Sequence, residues 1–136
     1  MKKTGFLFCL CIIVVLLAGC DRTPSGQTVI LGGYSVTLDH QPSPLKVGFD
    51  ALLELRVADE QGRSMDACKV SLRQSMPEMN MSHDQRLVPF SVDGNGVYHA
   101  KTGSFSMGGG WVLKILLDCG DDPVEHSFFF QLEWPE

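Results

Sequence analysis

From Phe49 to Val57 the chain reads FDALLELRV. Phe49, Ala51, Leu53, Leu55 and Val57 share one parity, and Asp50, Glu54 and Arg56 lie between them. A period of two puts the apolar set on one face of a strand and the charges on the other. The ALLEL stretch would also suit a helix on propensity, but the alternation outruns the helical fit. The pattern returns in Cys68, Val70 and Leu72, with Lys69, Ser71 and Arg73 facing outward, and in Trp111, Leu113, Ile115, Leu117 and Cys119. Val29 to Leu38, Leu87 to Val92, Val97 to Phe105 and Glu125 to Glu133 are further strand candidates; in the last, His126, Phe128, Phe130 and Leu132 alternate with Ser127, Phe129 and Gln131. Asp59-Glu60-Gln61-Gly62-Arg63 reads as a turn, and Asp93-Gly94-Asn95-Gly96 as a hairpin, since Gly and Asn accept the positive φ of tight turns. Pro89 cannot donate to a ladder, which predicts an edge strand or a bulge. About seven short strands between turns predict an all-β fold, an antiparallel β-sandwich of immunoglobulin-like type.

The amino terminus obeys a different rule. Lys2 and Lys3 precede an apolar run, Gly5 to Ala18, that is shorter than the roughly 20 residues of a membrane span. Leu17-Ala18-Gly19-Cys20 closes it like a bacterial lipobox, in which the cysteine becomes the lipid-bearing first residue. This reading makes residues 1–19 a lipoprotein signal peptide, residues 20–28 the lipidated Cys20 and a flexible tether, and residues 29–136 the folded domain. An uncleaved anchor is the alternative. Both place a membrane-held domain in the periplasm or at the cell exterior. Asp21 resembles the inner-membrane retention signal of enteric bacteria. Losing Lys2 and Lys3 moves the net charge from −5 to −7. That balance argues against nucleic acid as a ligand, because phosphate neutralisation needs clustered Lys and Arg.

Five cysteines then divide by fate. Cys9 and Cys11 leave with the leader and Cys20 carries lipid, so the domain keeps Cys68 and Cys119. A pair of inward-facing cysteines in an oxidising compartment is most simply a disulfide. A thiolate metal site is the rival, but the close CxxC spacing of such sites is missing.

Soft chemistry is concentrated in Met76-Pro77-Glu78-Met79-Asn80-Met81-Ser82-His83. If this segment is extended, Met79, Met81 and His83 project to one side. Thioethers with an imidazole favour Cu(I) over hard ions such as Mg²⁺. Phe105-Ser106-Met107-Gly108-Gly109-Gly110-Trp111 holds another methionine in a glycine-rich turn, which could bring Met107 to the first loop if the two meet. Methionine also fills gaps in cores and adaptable contact surfaces, so the run has a purely structural reading as well. His40, His99 and His126 stand alone and read as surface or satisfied structural histidines. No nucleophile elbow, H-E-x-x-H, phosphate loop or dinucleotide fingerprint is present, and Asp121 and Asp122 beside Gly120 read as turn residues, so no enzyme is expected.

The run MPEMNMSH, the Gly96-Val97-Tyr98 step and the F-x-M-G-G-G-W segment together resemble the YtkA-like domain family, which is related to the FixH-like group. The likeness runs from about Ala51 to Leu117. It implies a secreted or membrane-anchored immunoglobulin-like sandwich associated with copper handling or cytochrome oxidase assembly, and a metal role for Met76, Met79, Met81, His83 and Met107. The function expected is a lipid-anchored binding protein that holds Cu(I) or delivers it to a copper-accepting partner. The alternative is a non-metal interaction module of an envelope or respiratory assembly.

Overall fold

The computed structural model describes residues 26–79 and 86–136. Nine strands form among them: β1 (Gln27–Leu31), β2 (Tyr34–Gln41), β3 (Leu52–Ala58), β4 (Lys69–Ser75), β5 (Val88–Pro89), β6 (Ser91–Val92), β7 (Val97–Lys101), β8 (Gly109–Asp118) and β9 (Val124–Leu132). They make two antiparallel sheets, of order β1-β2-β3-β7-β6 and β5-β4-β8-β9. Without β1, these orders are those of the ABED and C′CFG sheets of immunoglobulin-like sandwiches. None of the described residues forms a helix long and apolar enough to cross a membrane.

The alternation builds the interior. Ala51, Leu53, Leu55 and Val57 from one sheet meet Val70, Leu72, Leu113, Ile115 and Leu117 from the other, and all are buried. Phe49 departs from its parity partners: it lies ahead of β3 and is 59% exposed. Two predicted single strands also divide. Val29 to Leu38 folds into the β1–β2 hairpin at Gly32-Gly33, both at positive φ, and β1 already begins at Gln27, inside the expected tether. Leu87 to Val92 changes sheets: Pro89 is on the β5 edge opposite Ser71, Phe90 donates its N–H to Val70, and Ser91–Val92 joins β7. These divisions raise the count from about seven to nine.

The disulfide forms as expected, between Cys68 and Cys119. Cys68 directly precedes β4 and Cys119 directly follows β8, and these strands are neighbours in one sheet. The bridge therefore staples adjacent strands and does not cross the core between sheets. Beside it, the buried Tyr98 hydroxyl donates to the Met65 carbonyl at 2.7 Å and accepts the Cys68 N–H at 3.1 Å.

The connections sort into two ends. One end carries the Gly32-Gly33 turn, the Asp59–Cys68 connection, the Asp93–Gly96 hairpin and the β8–β9 turn. The other carries the chain's approach to β1, the β2–β3 connection, the loops after β4 and β7, and the carboxyl terminus. All the methionines of the expected site among the described residues lie at this second end.

Candidate metal-binding end

Met76, Pro77, Glu78 and Met79 form a β-turn in which the Met79 N–H donates to the Met76 carbonyl at 3.2 Å. Proline at the second position has the φ this turn requires. The turn brings Met76 and Met79 within about 7 Å at Cα. Met76 packs against the core, and Met79 is 38% exposed. Met81 and His83, with the intervening Ser82, lie outside the described residues, as does Cys20.

The glycine turn comes to the same place. Because Ser75 pairs with Val112, the chain leaves β4 where β8 begins. A Cβ on Gly109 would lie 3.2 Å from the Met76 methyl, and Gly109 adopts φ +119°. The two loops therefore touch, at Met76 and Gly109. The Met107 carbonyl accepts the Trp111 indole N–H at 2.9 Å, which ties the turn to the strand that follows it. Met107 is half-buried against the core.

Three features of this end escaped the sequence. The buried Phe105 meets Trp111 edge to face, with centroids 5.1 Å apart, and closes the core beneath the loops. The Gln74 amide grips Gly103, donating to its carbonyl at 3.2 Å and accepting its N–H at 2.8 Å, so β4 holds the segment after β7. Trp134 crosses Gly108 so closely that a Cβ there would stand 2.8 Å from the indole. A glycine triplet and a tryptophan near the carboxyl terminus were the available signals, but nothing local connects them.

The donor set is soft and uncharged. Among the described residues, no group of three or more His, Cys, Asp or Glu is placed to hold a metal. Thioethers brought to one end suit a soft monovalent ion and offer nothing to a hard divalent one. The lone histidines are occupied elsewhere: His40 Nδ1 is 2.8 Å from the Pro42 carbonyl and its ring meets Phe130 edge to face, His99 faces Asp93 at 3.4 Å, and His126 packs on Phe128. Asp121 accepts the Tyr34 hydroxyl at 2.8 Å, the structural role its turn position implied.

Comparisons with curated proteins and with solved structures find no match. The family model described as YtkA-like matches residues 28–116, from the first residues of β1 almost to the end of β8, and so covers most of the core, the methionine turn and the glycine turn, but not β9. The chain therefore belongs to the YtkA-like family.

Proposed function

We propose that this protein is a membrane-held, extracytoplasmic copper-binding protein that carries or hands over Cu(I) as cargo. Its ligands are drawn from Met76, Met79, Met81, His83 and Met107, and a lipid on Cys20 holds it at the membrane. The observation that supports the reading is the contact of the Met76 methyl with Gly109, which sets the methionine turn against the turn that carries Met107. Thioether ligands are neutral, so Cu(I) keeps its charge in the site and can pass to a partner's ligands without bond-making catalysis. Thioethers carry no proton near neutrality, so acidification weakens binding through the His83 imidazole.

Isothermal titration under reducing conditions tests this. Saturable Cu(I) binding is expected, with a large loss of affinity for Met79→Leu plus Met81→Leu. No saturable binding, or equal binding by that variant, overturns the proposal. A second reading is favoured by the packing of Met76 and Met107 against the core: the methionines are apolar filler, and this end contacts a protein of an envelope or respiratory assembly. Leu preserves an apolar contact but is no ligand. A partner held equally by wild type and the double variant supports this second reading.

A further inference from the structure

The described chain starts at the methionine end. Gly26 lies against Leu38 and Asp39, and Gln27 pairs with Leu38, within three residues of the end of β2. An anchor on Cys20, or an uncleaved leader, thus connects to the domain near the methionine loops. Cys20 and Gly26 are six residues apart, at most about 20 Å of extended chain.

Three large exposed apolar side chains stand at this end, while Ile30 and Val92 are exposed toward the other. Phe49 and Leu52, both 59% exposed, flank the start of β3, and Trp134, 64% exposed, crosses Gly108. The opposite end carries Asp59, Glu60, Asp93, Asp121 and Asp122 in its turns and Asp118 at the end of β8, against Asp50, Glu78, Glu133 and Glu136 among the described residues of the methionine end. Turning that end toward a bilayer would stretch the connection along β1, itself about 20 Å with its turn, and bring six carboxylates to lipid phosphates.

We infer that the methionine end faces a phospholipid bilayer and that Trp134, Phe49 and Leu52 sit in its interface. Tryptophan favours that layer, where its ring is apolar and its N–H stays wet. The inference rests on the membrane-anchor part of the proposed function and not on copper.

The test uses the full chain, expressed with its leader and reconstituted into vesicles of phosphatidylethanolamine and phosphatidylglycerol carrying bromine on the acyl chains. Trp134→Phe supplies the blank, because Trp111 is buried. Bromolipid is expected to remove about half or more of the Trp134 emission. A Val92→Trp reporter in the Trp134→Phe background sits at the acidic end, where Val92 is exposed, and is expected to keep its emission. Flotation with the vesicles without quenching at position 134, or equal quenching at both positions, overturns the orientation and leaves the anchor standing. Failure to float, with an unacylated amino terminus by mass spectrometry, removes the anchor and the orientation with it. Shielding of Trp134 in native membranes but not in pure lipid assigns the rim to a protein partner and overturns lipid contact.

Discussion

The two ends of the sandwich are built on opposite principles. At the acidic end, side chains close the turns on themselves: Asp59 Oδ1 accepts the N–H groups of Gln61 and Arg63, Asp93 Oδ1 that of Asn95, and Asp118 Oδ1 that of Gly120. Asp66 accepts the Gly96 N–H, and Gly96, at φ +68°, leaves no room for a Cβ, which would stand 2.8 Å from Ser64. The disulfide and the Tyr98 hydroxyl lie beneath. At the methionine end the loops are longer, thioethers and aromatics stand among the carboxylates, and the sheets are tied among the described residues by the Gln74 amide on Gly103 and by the ring contacts of His40 with Phe130 and Phe105 with Trp111. Saturated hydrogen bonding makes an end rigid and leaves it little to offer a ligand. The other end is built from adaptable side chains.

If this contrast is right, damage to the acidic end costs stability, whereas damage to the methionine end costs binding. The largest expected effect is removal of the staple. Cys68→Ser with Cys119→Ser reopens a link between residues 51 apart, which the chain-entropy account values at about 4 kcal/mol. Urea denaturation measures it, and a loss under about 1 kcal/mol would show that the neighbouring ladder alone holds β4 to β8. Next comes Tyr98→Phe, which strips the Cys68 N–H and the Met65 carbonyl of a buried partner and should cost about 1–3 kcal/mol in the same assay.

Met76→Leu should cost less than about 1.5 kcal/mol, because volume and apolarity are nearly kept. Its Cu(I) affinity should nevertheless fall. A variant that loses several kcal/mol of stability would make Met76 a core residue first and a ligand second.

The smallest effect is electrostatic. The Arg63 backbone N–H holds the Asp59 carboxyl below its ordinary value of 3.8, and the Asn95 N–H does the same for Asp93. Asp50, at the methionine end, is lowered first by its bond to the Lys101 side chain, 2.6 Å away. Each is more acidic folded than unfolded, so its contribution is complete above pH 3.8 and disappears as pH falls through the lowered native value. Asp59→Asn and Asp93→Asn should each flatten the loss of stability below about pH 4. Carboxyl titrations followed by NMR in high salt should move Asp50 toward 3.8 more than Asp59 or Asp93, since salt screens an exposed ion pair but does not replace a backbone donor.

Much of the fold could be read in advance because a strand writes its orientation into every second residue. Leu53, Leu55 and Val57, Cys68 and Val70, Leu113 and Ile115 all face where their parity places them. The hairpin at Asp93–Gly96 and the edge role of Pro89 were legible because glycine and proline limit the backbone locally. Phe49 was misread because alternation continues past the point where β3 and its core cover begin. The Leu87–Val92 run hid a sheet change, since strand propensity is the same in either sheet.

The candidate site divides in the same way. Residue type marked the soft segment, and the proline of Met76-Pro77-Glu78-Met79 could have revealed the turn that closes it. The contact of Met76 with Gly109, the passage of Trp134 over Gly108 and the grip of Gln74 on Gly103 were beyond sequence reasoning.

By itself, the sequence determined an all-β chain with one face of each main strand buried, a pair of inward cysteines and a concentration of thioethers. Those properties follow from side-chain parity, composition and backbone restriction, which act over a few residues. Only the tertiary structure decided that the cysteines join neighbouring strands of one sheet, that the two methionine turns touch, and that the chain enters at their end. Those are outcomes of register and sheet order, set when strands distant in sequence bury their apolar faces together.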